Sequence, residues 1–312
     1  EVVAPLLKTE PYLLLPLRHA GQLLGVIALG RKITETRYTA EEISLLQTLT
    51  NQTSVAVKNA VLHEESLAKI VLEEELAVAR RIQQQFLPRR HPQTSRFGMA
   101  GMNLPSKQVG GDYYDLLDMG GGDFLIAIAD VAGKGVPAAL LASMVQASLR
   151  TQAQDGKPVR EMMDRLNRLV HDATPDDRFA TCFLARVSGT GLGFSFSNAG
   201  HNFPILLPSE GPSRLLEAGG IPLGIVPEFS YPQADAPLAK GDALILYTDG
   251  ITDARNLALE DYGEERLFTL VDRLPRSMTA GELIEAIAGD VSRFTEGAEQ
   301  ADDITLVALK AL

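Results

Sequence analysis

Residues 124–130 read FLIAIAD and run directly into the glycine loop VAGKG at 131–135. A second stretch has the same design: ALILY at 243–247 is followed by Thr248, Asp249 and Gly250. A short apolar run bounded by turn residues predicts a buried strand, so each strand delivers one carboxylate, Asp130 or Asp249, at its end. If the two strands are neighbours in one sheet, these carboxylates emerge side by side. Like charges at such a distance require a compensating cation or a retained proton.

Two further acidic segments extend this pattern. Asp112 follows two glycines in GGDYYD at 110–115, and Asp302 and Asp303 open the last apolar run. A lone Asp at a strand end is usually a turn residue, but four such segments together indicate more than turn formation. Oxygen ligands are those that Mg²⁺ or Mn²⁺ prefer. A pair of such ions can activate water for attack on a phosphoryl centre.

Outward from these segments, apolar patterns alternate between strands and helices. Strands before, between and after helices predict an α+β sandwich with helices on the sheet faces. We predict strands near 98–104, 113–118, 124–130, 179–187, 192–198, 203–207, 243–248 and 303–309, and helices near 136–152, 158–173, 264–273 and 280–295.

The N-terminal third has a different organisation. Two apolar runs within 12–30 flank a His-Ala-Gly-Gln turn, which predicts an antiparallel hairpin. Thr39 and Glu42 form a capping-box pattern, and helix-favouring residues then continue without Gly or Pro to residue 87. A helix over 40–87 would be roughly 70 Å long, more than a compact domain needs for its own core. It therefore indicates a connector or a dimer seam.

Composition excludes several classes of protein. The 312 residues suggest about two domains, and the net charge of −11 argues against nucleic-acid binding. One cysteine, Cys182, excludes a disulfide framework and favours a reducing, cytoplasmic compartment. No apolar run is long enough for a membrane span, and no signal peptide is visible. Because the chain does not begin with Met, we expect it to be a piece of a longer protein.

Other catalytic chemistries have little support in the sequence. The five histidines contain no i, i+4 pair, and neither a phosphate-binding GxxxxGK[ST] loop nor a GxSxG elbow is present. Cys182 lies in an apolar strand and is expected to be a core thiol. His201, in the turn NAGHN, is expected to close that turn rather than to catalyse a reaction.

Taken together, these segments resemble the metal-dependent Ser/Thr protein phosphatase (PPM) family, and most closely its bacterial SpoIIE/RsbU-like branch. The resemblance covers nearly all of residues 97–312. It implies an αββα sandwich with two Mn²⁺ or Mg²⁺ ions between the sheets. It also implies hydrolysis of phosphoserine or phosphothreonine by metal-activated water without a phosphoenzyme. The matching strings are VGGDYYD at 109–115, IADVAGKGVPAALLAS at 128–143, NAGHNFP at 198–204, LYTDGITDARN at 246–256 and DDITLVAL at 302–309.

The resemblance also implies roles for individual residues. Asp130 would bridge both metal ions, and the backbone carbonyl of Val131 would ligate one of them. Asp249 and Asp302 would bind the second ion. The expected catalytic residues are Asp112, Asp130, Asp249 and Asp302.

The roles of the remaining acidic residues are less defined. Asp112 would act in the first or the outer shell and hold metal-bound water. Asp303 would either be an outer-shell partner or share the role of Asp302. Lys134 stands where many relatives have His. No arginine before Asp112 matches the one that holds the phosphate in many eukaryotic relatives. Lys107 is nearby without an assigned role.

Residues 1–62 resemble the C-terminal part of a GAF sensor domain, through LPLRHAGQLLGVIALGRK and YTAEEISLLQTLTNQTSVAVKNAVL. We therefore expect a partial GAF domain at 1–62, a coiled-coil-like helical linker at 63–96 and a PPM-type phosphatase domain at 97–312. The predicted function is a bacterial signalling phosphatase that is regulated through the GAF part and the helix, and that forms a homodimer through the helix. Family resemblance suggests a phosphorylated protein substrate, specifically an anti-sigma-factor antagonist of the STAS type.

Two alternatives compete with this function. The first is a binding or scaffolding module with weak or no turnover. The second is a phosphodiesterase or nuclease, since two-metal sites serve those reactions too, but the acidic charge makes nucleic acid a poor substrate.

Overall fold

The computed structural model describes residues 11–88, 90–174, 178–189 and 193–312. The chain divides into two compact units, Glu1–Glu75 and Leu76–Leu312. Of the helices within the described residues, none combines the length and the apolar character that crossing a bilayer requires.

The first unit contains the predicted hairpin. Strand β1 (Leu13–His19) pairs antiparallel with β2 (Gln22–Leu29). The two residues of the turn, Ala20 and Gly21, both have positive φ, which matches the twist of a tight hairpin. The prediction of a hairpin with its turn at this position is confirmed.

Helix α1 (Ala40–Phe86) begins at the predicted capping box. The backbone N–H of Thr39 donates to Oε2 of Glu42 at 2.7 Å, and the N–H of Glu42 donates to Oγ1 of Thr39 at 3.3 Å. The 47 residues of α1 confirm the predicted long helix. Many of its apolar side chains are exposed within the described residues, including Leu62, Leu67 and Ile70.

The second unit is built on two five-stranded antiparallel sheets. The first sheet has the strand order β10-β7-β6-β5-β4, and the second has the order β3-β12-β11-β8-β9. The strands are β3 (Phe97–Leu104), β4 (Tyr113–Gly120), β5 (Asp123–Val131), β6 (Ala180–Val187), β7 (Gly193–Ala199), β8 (Ile205–Leu207), β9 (Arg214–Leu215), β10 (Ala234–Pro237), β11 (Ala243–Tyr247) and β12 (Ile304–Ala311). The helices are α2 (Val136–Gln154), α3 (Val159–Ala173), α4 (Asp249–Thr252), α5 (Glu264–Arg273) and α6 (Ala280–Thr295).

The alternation of side chains on the central strands produces the layers. On β5, Leu125 packs with residues of α2 and α3, whereas Ile126 packs with residues of the other sheet, as the two-residue period of a strand requires. On β11, Leu246 faces the layer between the sheets and Ile245 faces α5 and α6. The result is an αββα sandwich, which confirms the predicted fold class.

The condition considered for the two strands that deliver Asp130 and Asp249, that they are neighbours in one sheet, is not met. Strands β5 and β11 are not neighbours, because β5 lies between β4 and β6, and β11 lies between β12 and β8 in the other sheet. Both strands are central and almost wholly apolar, so their hydrophobic pattern carries no information about which sheet each one joins. Asp130 and Asp249 therefore come from opposite sheets.

Three short elements were not predicted: β9, β10 and α4. They have two to four residues each, too few for a periodic pattern to be visible. The predicted strand 192–198 is observed as β7 (Gly193–Ala199), and residue 192 lies outside the described residues.

Candidate metal centre

Four chain segments bring the predicted aspartates to one edge of the two sheets. Asp130 is the penultimate residue of β5, and Asp249 begins α4 directly after β11. Asp112 immediately precedes β4, while Asp302 and Asp303 precede β12. The structure thus brings together all five predicted aspartates, from both halves of the sandwich.

The proximity of these carboxylates is visible in their electrostatics. Burial and then the charges of Asp249 and Asp302 raise the pKa of Asp130 to about 7. Burial and then the charge of Asp130 raise the pKa of Asp112 well above its usual range. Burial and then the charges of Asp253 and Asp302 raise the pKa of Asp249. The site therefore concentrates negative charge for which the chain supplies little compensation.

Asp112 is held by two hydroxyl groups that sequence reasoning missed. Its side chain is buried, and Oδ2 accepts hydrogen bonds from Oγ1 of Thr248 at 2.8 Å and from Oγ1 of Thr305 at 2.5 Å. Thr248 precedes Asp249 and Thr305 follows the Asp302-Asp303 pair, so both motifs contribute a threonine as well as an acid. The Thr-Asp-Gly and Asp-Asp-Ile-Thr strings contain this signal.

Asp303 organises the loop that carries Asp112. Its Oδ1 accepts from the backbone N–H and the hydroxyl of Ser106, at 2.7 and 2.9 Å. Its Oδ2 accepts from the backbone N–H of Gly111 at 2.7 Å. Both carboxylate oxygens are thus engaged by the loop before β4, which favours the outer-shell alternative for this residue.

Two glycines are required by close backbone approaches at the centre. A Cβ on Gly111 would lie 2.9 Å from the carbonyl oxygen of Val131, the predicted backbone ligand. A Cβ on Gly250 would lie only 1.9 Å from the carbonyl oxygen of Asp303. Side chains at either position would displace the backbone that carries the acidic residues.

Asp302 has a different environment from the buried aspartates. Its side chain is half-exposed, and Oδ2 lies 2.8 Å from Nζ of Lys134. Across the described parts of the chain, no three His, Cys, Asp or Glu side chains already converge as ligands of one ion. The hydrogen bonds of Asp112 and Asp303 and the ion pair of Asp302 engage carboxylate oxygens with protein donors.

The donor set nevertheless fits hard divalent cations. Carboxylate oxygens and a backbone carbonyl are the ligands that Mg²⁺ and Mn²⁺ take, usually together with several waters. Burial and then neighbouring carboxylates raise the pKa values of Asp112, Asp130 and Asp249, and a bound cation would stabilise their charged forms.

His201 closes the turn after β7, as expected. Its backbone N–H donates to Oδ1 of Asn198 at 2.8 Å, and Nδ2 of Asn198 donates to the His201 carbonyl at 3.0 Å. Nδ1 of His201 lies 2.8 Å from Oγ1 of Thr181, which pairs in register with Asp130 across β5 and β6. Burial lowers the pKa of His201 to about 4, so the ring is neutral at pH 7.

The last turn of α1 is hydrogen-bonded to the loop that carries Asp112. Nε2 of Gln83 donates to the Gly110 carbonyl at 2.7 Å, and the Gly110 N–H donates to Oε1 of Gln83 at 3.1 Å. Arg150 of α2 donates to the carbonyl of Phe86 at 2.7 Å and pairs with buried Asp115 at 2.8 Å. Gln83 was not among the site residues predicted from the sequence.

A groove of about 600 Å³ opens beside the centre. Asp130 and Asp249 form part of its wall, and Phe203 and Phe229 provide an apolar lining. It is the space next to the acidic cluster in which a substrate segment could lie.

Comparisons with known proteins agree with this architecture. The model of the stage II sporulation protein E (SpoIIE) family matches residues 120–312, and the model of the GAF domain matches residues 6–57. Phosphoserine phosphatase RsbU of Bacillus subtilis is 30% identical over 293 residues, which cover 91% of this chain and 85% of that protein.

Solved structures share the fold. The SiaA-PP2C domain of Pseudomonas aeruginosa superimposes with a TM-score of 0.68 at 22% identity, over 78% of this chain and 98% of that one. The RsbU and RsbW domains of Rv1364c from Mycobacterium tuberculosis give a TM-score of 0.59 at 27% identity, over 72% of this chain and 61% of that one.

Proposed function

Because this chain belongs to the SpoIIE family, we propose that its aspartate cluster is the two-ion catalytic centre of a protein phosphatase. The chain is a serine/threonine protein phosphatase of the PP2C type with an N-terminal GAF fragment. The observation that carries the proposal is the convergence of Asp130, Asp249 and Asp302. After burial, the charges of Asp249 and Asp302 raise the pKa of Asp130, and the charge of Asp302 is also among the causes that raise the pKa of Asp249.

We assign the ligands as follows. Asp130 would be shared by both ions, the carbonyl of Val131 would contact one of them, and Asp249 and Asp302 would hold the other. When bound, two Mn²⁺ or Mg²⁺ ions supply the Lewis acidity needed to hydrolyse a phosphate monoester with water.

Residues of the chain itself would orient Asp112, hold the loop before β4 and bind the substrate. Thr248 and Thr305 fix the orientation of Asp112. Asp112 would then hold a water molecule at the centre. Asp303 holds the loop before β4 in place through its bonds to Ser106 and Gly111. The groove beside Asp130 and Asp249 would bind the phosphorylated segment of the substrate protein.

Membership of the family does not identify the substrate protein or the oligomeric state of this chain. We propose that the substrate is a phosphorylated signalling protein of the STAS antagonist type, and that α1 mediates a homodimer. The exposed apolar residues of α1, such as Leu67 and Ile70, support the dimer. The domain limits 1–62, 63–96 and 97–312, and the cytoplasmic location, stay predictions.

Replacing Asp130 tests the proposal. We expect Asp130→Asn to lose Mn²⁺-dependent release of phosphate from a phosphoserine protein by at least about a hundredfold, since several kcal/mol of charge stabilisation depend on the ions. Asp118→Asn is the matched control, because Asp118 is exposed on β4 and remote from the cluster.

Calorimetric titration with Mn²⁺ should accompany the rate measurement. Full activity in Asp130→Asn would refute the assignment of the centre. Ion binding by the wild type without any phosphate release would instead favour the binding or scaffolding module.

A further inference from the structure

Lys134 places a positive charge among the aspartates. Its Nζ lies 2.8 Å from Oδ2 of Asp302 and donates to the carbonyl oxygen of Ala301 at 2.6 Å. Within the described residues, Asp302 has no other ion-pair partner. The charge of Lys134 also reaches Asp249, where it opposes the rise in the pKa of that carboxyl. Lys134 thus acts on both residues assigned to the second ion.

The glycine loop determines where Lys134 stands. Gly133 and Gly135 on either side of it have φ of +99° and +78°, and α2 begins at Val136. These are conformations that glycine adopts at little cost. The turn holds Lys134 against a segment 167 residues further along the chain, so the contact is a product of the tertiary fold.

We propose that Lys134 competes with a divalent cation for Asp302 and thereby sets the ion concentration at which the second position of the centre fills. The inference rests on the proposed function, because Asp302 is assigned there as a ligand. An ammonium group and a divalent cation that approach the same carboxylate repel each other, so one must leave for the other to bind. Lys134 can leave, since its side chain is 39% exposed and ends a flexible stem.

The size of the effect follows from that exposure. An ion pair in contact with solvent contributes little, because water and salt screen it. Removing the competitor should therefore tighten binding of the ion assigned to Asp249 and Asp302 by about three- to fivefold, with no change in the residues that hold it.

The experiment is a calorimetric titration of the full chain with Mn²⁺, supported by electron paramagnetic resonance of the free ion. Lys134→Gln should bind the ion assigned to Asp249 and Asp302 about three- to fivefold more tightly than the wild type, and Lys134→Arg should stay close to the wild type. Lys157→Gln is the matched control, because it removes the same charge from an ion pair of 2.6 Å with Glu161, away from the centre. Thermal unfolding followed by circular dichroism verifies that each variant folds.

The outcomes separate this inference from the proposed function. If Lys134→Gln binds Mn²⁺ no more tightly than Lys157→Gln, or more weakly, the competition is refuted while the centre stands. If neither the wild type nor any lysine variant binds Mn²⁺, both are refuted. Loss of Mn²⁺ binding in the double variant Asp130→Asn, Lys134→Gln would place the measured ion at the aspartates.

Discussion

At the scale of single residues, acidic groups with similar sequence contexts have unlike environments. Asp112 is buried and accepts from two threonine hydroxyls, whereas Asp302 is half-exposed and paired with Lys134. Position relative to the two sheets, rather than neighbours in the chain, determines this difference. The position of His201 in the fold likewise determines its environment, because this polar residue is buried.

Burial of neutral His201 predicts a pH-dependent loss of stability. Its folded pKa of about 4 is below the ordinary value of 6.5, so the unfolded chain binds more protons between these values. Stability is present above pH 6.5 and is lost as the pH falls toward 4. From pH 7 to pH 5 the wild type should lose ~2 kcal/mol relative to His201→Asn.

Urea unfolding at both pH values measures this difference. Comparing the two proteins at each pH cancels the opposite contribution of the carboxylates with raised pKa values. If the free energy of unfolding depends on pH equally in the wild type and the variant, the assignment of a buried neutral ring to His201 is contradicted.

Gly250 offers a second test at this scale. Gly250→Ala should lower the free energy of unfolding by roughly 1–3 kcal/mol, because the new methyl group would overlap the carbonyl of Asp303. It should also weaken Mn²⁺ binding, since that backbone joins Asp302 to β12. Gly281→Ala in α6 is the control: nothing lies within 4 Å of the added carbon, and a gain of up to ~1 kcal/mol is expected. Equal stabilities of the two variants in urea would contradict the close packing at Gly250.

At the scale of elements, the end of α1 and the loop before β4 behave as one hydrogen-bonded unit. Gln83 satisfies both backbone groups of Gly110, one residue before the glycine that approaches Val131. Arg150 anchors the helix terminus to buried Asp115 on β4. A shift of α1 would therefore be transmitted to the backbone that carries Asp112.

Gln83→Ala tests this connection. We expect the Mn²⁺ affinity or the phosphatase rate to fall by about fivefold or more, because two hydrogen bonds of ~0.5–1.5 kcal/mol each are lost. Gln84→Ala, at the adjacent exposed position, should behave as the wild type. Calorimetry and phosphate release provide the comparison, and identical values for the two variants would exclude the helix end as a determinant of the centre.

At the scale of the whole molecule, the two compact units predict what a truncation does. The three apolar cores of the sandwich are formed by residues after 86, so a fragment of residues 76–312 should fold cooperatively. Only 11 residues of α1 would remain in it, and a helix that short is marginal in water. The contact between Gln83 of this shortened helix and Gly110 should therefore weaken. The phosphatase rate should fall by at least about fivefold, a change typical of regulatory coupling between sites.

Phosphate release, Mn²⁺ titration and sedimentation of the fragment and the full chain test this expectation. An unchanged rate, metal affinity and oligomeric state in the fragment would remove the hypothesis that α1 and the N-terminal unit regulate the centre. A fragment that fails to unfold cooperatively would contradict the division of the chain into two units.

The sequence alone determined the longer elements and the chemical types in the centre. Apolar runs that end in Asp-containing turns indicated β5 and β11, and the capping box at Thr39 located the start of α1, because these signals are local. Only the tertiary structure decided that β5 and β11 belong to opposite sheets. It also decided that Asp303 holds a loop, that Lys134 meets Asp302 and that Gln83 meets Gly110. Each of these contacts joins residues far apart in the chain, and their pairing follows from how the two sheets stack, which no local pattern of side chains encodes.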